Sequence, residues 1–160
     1  MAINQLSLLR TKRFLPLFLT QFFGAFNDNV YKNALVIMIT YSLASATQFN
    51  SQILITIAAG IFILPFFLFS ALAGQIADKF DKAKLIRYTK LAEITLMLLA
   101  GIGFYFQSVF FLITLLFLIG TQATFFGPMK YSILPDQLPE NELIAGNALL
   151  EAGTYFAILT

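Results

Sequence analysis

Long apolar runs alternate along this chain with short polar interruptions, and the length of the runs decides what they form. A helix needs about 20 mostly apolar residues to cross a bilayer. Residues 15–41, 53–76, 85–106 and 109–127 reach roughly that length, and another apolar run begins near Leu143 and is still apolar at Thr160, where the sequence stops. Runs this long and continuous exclude a barrel, so helices must satisfy the backbone hydrogen bonds within hydrocarbon. The pattern predicts an all-α membrane protein with four complete transmembrane helices and a truncated fifth. A helix that ends halfway leaves carbonyls unsatisfied in lipid, so the chain is expected to be a fragment of a longer one.

The charges agree with these spans. The connections at 42–52 and at Gln107-Ser108 carry none, whereas Arg10, Lys12 and Arg13 precede the first run and Lys79, Lys82, Lys84, Arg87 and Lys90 follow the second. Positive residues mark the cytoplasmic side, which places the N-terminus inside and gives every segment one consistent up-down order. The first run is too long for a secretory signal and has no small-residue cleavage pattern after it, so it is expected to be a retained helix.

Composition sharpens the class. The chain is 59% hydrophobic and 11% charged, with a mean hydropathy of +0.81, against about 45–50% apolar and 25% charged in soluble domains. A net charge of +2 is too small to suggest nucleic acid, and the lack of Cys and His excludes thiolate nucleophiles, disulfides and the commonest soft metal sites. No cofactor or metal is expected. The acidic residues fall on separate helices with no nucleophile or phosphate loop beside them, so no enzyme chemistry is expected before residue 160.

The chemistry concentrates in a few places. The first helix carries Asn27, Asp28, Asn29, Lys32 and Asn33 in seven positions. At 1.5 Å per residue, Asp28 lies about 20 Å past the cytoplasmic end, beyond mid-bilayer. A charge there costs roughly 2.5–3.5 kcal/mol and must face protein or water. Lys32 is one turn further on the same face, so the two can neutralise each other, with the amides nearby. The cluster either glues helices together or lines a central cavity, and its density favours the cavity. Pro65 should bend the second helix, and Ser70 and Gly74 form a small-residue face suited to close packing. In the third helix Arg87, Lys90 and Glu93 share a face; Glu93, about two turns deep, needs a partner, and Lys90 is the nearest, as a structural pair. Lys130 follows a Gly127-Pro128 break, where a helix end would favour a cation. Asn147 and Glu151, four apart, share one face of the last helix.

Two resemblances emerge from these stretches. Gly74, Asp78, Lys79, Lys82 and Lys84 resemble the major facilitator signature between its second and third helices, with Asp81 where that pattern usually has Gly. The likeness implies a partial N-terminal six-helix bundle in which Asp78 and the basic cluster latch a cytoplasmic gate. The stretches 24–29, 128–134 and 147–152 are similar to those of lysophospholipid transporters within that superfamily, and Lys32 to Leu35 look most like the form fused to an acyltransferase. This implies a bacterial inner-membrane carrier that moves lysophosphatidylethanolamine-class lipid by alternating access and supplies its re-acylation by a fused or separate acyltransferase. Asn27, Asp28, Asn29, Lys32, Lys130, Asn147 and Glu151 would line its cavity, and its partners would be the lysophospholipid, membrane lipids and the remainder of the chain. The alternatives are an ion-coupled carrier of a drug or small solute and a membrane scaffold for an acyltransferase.

Overall fold

A computed structural model describes residues 5–43 and 51–159. Most of the uncharged connection at 42–52 lies outside the described residues, as does Thr160. A 3-10 turn, Gln5–Arg10, leads into α1 (Leu15–Met38), which ends in a π turn over Ile39–Leu43. Then come α2 (Ser51–Lys79), α3 (Lys82–Tyr105), α4 (Val109–Ser132), a short α5 (Leu134–Gln137) and α6 (Glu140–Leu159). Among the described residues there is no strand.

The helices outrun the apolar segments at their polar ends, because a helix stops where its backbone finds a cap and not where its side chains turn polar. α2 continues through Asp78 and Lys79, and α3 begins after Asp81, whose carboxylate accepts a hydrogen bond from the Lys84 backbone N–H at 3.0 Å. The α3 to α4 connection closes on Gln107, which adopts a left-handed φ of 51°. The Gln107 N–H donates to the Phe104 carbonyl and that of Ser108 to the Gly103 carbonyl, at 3.2 and 3.1 Å, which satisfies the last carbonyls of α3 in a Schellman arrangement.

One expectation fails here. α4 does not break at Gly127-Pro128 but runs on to Ser132. Gly127 has no Cβ for the proline ring to strike, which eases the passage of the helix through Pro128. Lys130 therefore projects from within α4 and not from beyond its end. α2 likewise runs unbroken through Pro65.

α4 is the central element, packed against α2 on one side and α3 on the other, while α6 packs along α1. Without a hydrophobic drive between helices in lipid, close approach depends on small residues. The small-residue face of α2 is Ala73 and Ala77, both buried; the expected Ser70–Gly74 face is displaced by about one residue, and a Cβ on Gly74 would meet nothing within 4 Å. The tightest crossing is at Gly120, where a Cβ would lie 2.5 Å from the Phe62 carbonyl oxygen and 3.3 Å from the Pro65 ring.

Burial is inverted relative to a water-soluble protein. Large apolar side chains such as Phe67 and Phe110 are 82% and 84% exposed, while Gln21, Glu93, Gln122, Thr124 and Lys130 are buried. Among the described residues, 52–79 and 109–132 are long and apolar enough to cross a membrane. The first of these is mostly exposed, unlike the core helix of a soluble protein. Threonines on the outer faces, including Thr56, Thr95 and Thr114, donate to carbonyls four residues back and so leave no hydroxyl unpaired toward lipid.

Replacing Gly120 by Ala should lower the stability of the full-length protein by roughly 1–3 kcal/mol, since two backbones must separate to admit the methyl. Thermal unfolding in detergent checks this, and an unchanged midpoint would contradict the observed crossing.

Candidate functional site

A cavity of about 310 Å³ opens between α1, α2, α3, α4 and α6. α1 supplies Gln21, Gly24, Ala25, Asp28 and Lys32 to it, whose spacing of three, four and seven sets them on one helical face. Phe62 and Phe66 of α2 form an aromatic wall, and Lys90 and Glu93 enter from α3. Gln122, Phe126 and Lys130 come from α4, and Thr154 and Ile158 from α6.

Most polar groups in the walls are already committed. The Lys90 ammonium pairs with Glu93 Oε2 at 2.6 Å, and the Gln122 amide donates to the same oxygen at 3.0 Å. Lys90 also sits 4.1 Å from the centre of the Phe126 ring, where the ring face adds a cation–π attraction. Gly24 makes room for it, since a Cβ there would lie 2.5 Å from the Lys90 ammonium. Lys130, only 8% exposed, donates to Glu151 Oε1 at 3.3 Å, and the Tyr131 hydroxyl donates to that oxygen too. Gln21 donates to Thr154 Oγ1 at 2.7 Å, and Thr154 donates to the Leu150 carbonyl at 2.8 Å.

Two charged groups stand apart. Asp28 Oδ1 is buried and has no hydrogen-bond partner. Lys32 makes no ion pair with any carboxylate among the described residues; its ammonium rests 4.5 Å from the centre of the Phe62 ring. The Asp28–Lys32 pair expected from their spacing is therefore not formed, because the lysine leans across to an aromatic face on α2.

The other expected residues divide. Lys130 lines the cavity, and Glu151 reaches it through Lys130. Asn27 does not line it; it borders an adjoining, more open hollow beside Thr20 and Phe23, which shares Gly24, Lys90 and Glu93 with it. Asn29 clamps α1 to α6 by donating to the Ile158 carbonyl at 2.8 Å, and Asn147 donates to the Leu143 carbonyl of its own helix at 3.0 Å. Of the expected gate residues, Asp78 and Lys79 are exposed. Asp81, not Asp78, caps α3. The Lys82 ammonium ties α3 to the end of α4 and to α5, donating to the Ser132 carbonyl at 2.8 Å and Asp136 Oδ2 at 2.9 Å.

Sequence reasoning treated Lys90 and Glu93 as a structural pair and did not place them, Gln21, Gln122 or Thr154 in the site. Their signal was present: Gln21 lies seven residues before Asp28 on the same face, and Gln122 interrupts an otherwise apolar run.

The family described as transmembrane secretion effector, a major facilitator family, matches residues 3–157. This chain belongs to it. Family membership makes the protein a multi-pass membrane protein, in accord with its inverted burial. Among curated proteins, the lysophospholipid transporter LplT of Salmonella arizonae is 30% identical over 152 residues, covering 93% of this chain and 34% of that protein. The same transporter from Pectobacterium carotovorum subsp. carotovorum is 31% identical over 145 residues, covering 89% of this chain and 32% of its own length. That of Photorhabdus laumondii subsp. laumondii is 30% identical over 152 residues, covering 95% and 35%. The chain thus spans about a third of the length of these relatives. No solved structure matches it.

Breaking the Lys90–Glu93 pair singly should cost more than removing it whole. Glu93→Leu leaves a partly buried ammonium without its partner and should destabilise the full-length protein by about 1–3 kcal/mol, whereas adding Lys90→Met should restore much of that loss. Unfolding midpoints of the two single variants and the double variant measure the coupling, and strictly additive shifts would show that the pair is not buried together.

Proposed function

We propose that this chain is the N-terminal transporter portion of a carrier that moves lysophospholipid, of the lysophosphatidylethanolamine class, across the bacterial inner membrane by alternating access. The supporting relatives are bacterial proteins named as lysophospholipid transporters. The observation that carries the reading is a pair of charges in the cavity without ion-pair partners among the described residues: a buried carboxylate oxygen on Asp28 with no hydrogen bond, and one turn away Lys32, which meets only the Phe62 ring. A zwitterionic headgroup answers both. Its ammonium supplies the donor that Asp28 lacks, and its phosphate supplies the anion that Lys32 lacks. Lys90–Glu93 and Lys130–Glu151 are paired on the walls and hold the electrostatic frame without competing for the ligand.

In this reading α1 to α4 are complete membrane crossings and α6 begins the fifth, within a six-helix half whose remaining parts follow in the longer chain. The N-terminus is cytoplasmic. Support comes from the basic residues Arg10, Lys12, Arg13, Lys79, Lys82 and Lys84, which fall in the connections assigned to that side. At that side Arg13 pairs with Glu142 at 2.5 Å and Lys82 with Asp136. Together with Gly74, Asp78, Lys79 and Lys84 these would form the cytoplasmic gate, whose opening releases lipid for an acyltransferase to restore its second chain.

Asp28→Asn in the full-length protein tests the reading. Losing one charge-assisted contact is worth about 1.5–3 kcal/mol, so uptake of labelled lysophosphatidylethanolamine into spheroplasts should fall roughly tenfold to a hundredfold. Uptake equal to wild type would reject Asp28 as the headgroup site, and no uptake by the wild type would reject the function.

A further inference from the structure

A second cavity, of about 250 Å³, adjoins the charged one between α1, α2 and α4. Its walls are apolar, with Leu35 and Val36 from α1, Ile55, Ala58, Ala59 and Ile63 from α2, and Leu116 from α4. Lys32 and Phe62 line both cavities, so the two meet at the point where the Lys32 ammonium lies over the Phe62 ring.

Of the two small wall residues, Ala58 is buried in the apolar core and Ala59 is exposed. Ala58-Ala59-Gly60 interrupts a helix otherwise dominated by Ile, Leu and Phe. Interiors are normally filled to crystal-like density, and an unfilled apolar slot that adjoins a charged pocket has the shape of a site for an amphiphile.

We propose that this slot receives the acyl chain of the lipid whose headgroup occupies the charged cavity, with Ala59 and Ile63 setting the chain length it accepts. The inference rests on the lysophospholipid reading and adds to it where the tail goes. Lys32 stands at the junction, with its aliphatic stem along the slot and its ammonium toward the phosphate, as long cationic side chains do at polar boundaries. A single-chain lipid fits because the slot is one narrow cavity.

The test measures binding of lysophosphatidylethanolamines, from octanoyl to stearoyl, to the full-length protein below their micellar concentrations. For the wild type, affinity should rise about fourfold per added methylene until the slot is full, then level off. Ala59→Phe should move the levelling point to shorter chains while leaving the shortest lipid unaffected, and Ile63→Ala should move it to longer chains. Asp28→Asn should weaken all chain lengths by one common factor. If both slot variants keep the wild-type profile, including one that climbs without a break, the tail lies elsewhere and the slot is overturned, although the headgroup reading survives. Should Ala59→Phe lose binding altogether, Ile63→Ala decides: an extended profile supports the slot and an unchanged one rejects it. Wild type that binds no member of the series rejects the lysophospholipid reading, and the slot with it.

Discussion

A carboxylate within hydrocarbon must have a cation, a donor or water beside it, because neither lipid nor packed apolar side chains can replace its hydration. Asp28 sets that requirement for this bundle. Its Oδ1 is buried without a partner, and the helices around it are arranged so that the side it faces is a cavity and not acyl chains. The rest follows from keeping that cavity open inside an apolar exterior. α4 holds α2 close through Gly120, α6 is clamped to α1 through Asn29 and Gln21, and the remaining acidic groups at mid-depth are neutralised by lysines of their own. A frame of satisfied ion pairs thus surrounds a carboxylate oxygen that has no hydrogen-bond partner among the described residues.

The helices were legible from the chain because lipid demands long apolar runs, and little else produces them. Their ends were less so. Where α2 and α3 meet depends on Asp81 capping the new helix, and α4 continues through Gly127-Pro128, a pair that reads equally well as a turn signal in isolation. The close-packed face of α2 is Ala73 and Ala77, one position away from the Gly74 that a motif draws attention to. Gly74 points away from the described helices.

The candidate site was half legible. Asp28, Lys32, Lys130 and Glu151 stand out as charges within apolar helices, and the structure brings the first three to one cavity, with Glu151 attached to Lys130. Periodicity shows that Asp28 and Lys32 can meet, yet the lysine is drawn to Phe62, thirty positions further on and on another helix. Glu93 and Gln122 are 29 residues apart and belong together only after α3 and α4 pack. Asn27, Asn29 and Asn147 were grouped with the site by their polarity; Asn27 borders the adjoining hollow, and the two other amides each donate to a backbone carbonyl.

The central claim is that one face of α1 looks into a watery cavity and the opposite face into lipid. These 160 residues contain no cysteine, so single cysteines along α1 of the full-length protein, in a background otherwise free of them, can be probed with a membrane-impermeant thiol reagent in membranes accessible from both sides. Cysteines at Gln21, Ala25, Asp28 and Lys32 should react, and those at Val30 and Ile37, which are exposed on the outer face, should not. Reaction at the outer positions with protection at Asp28 would contradict the account.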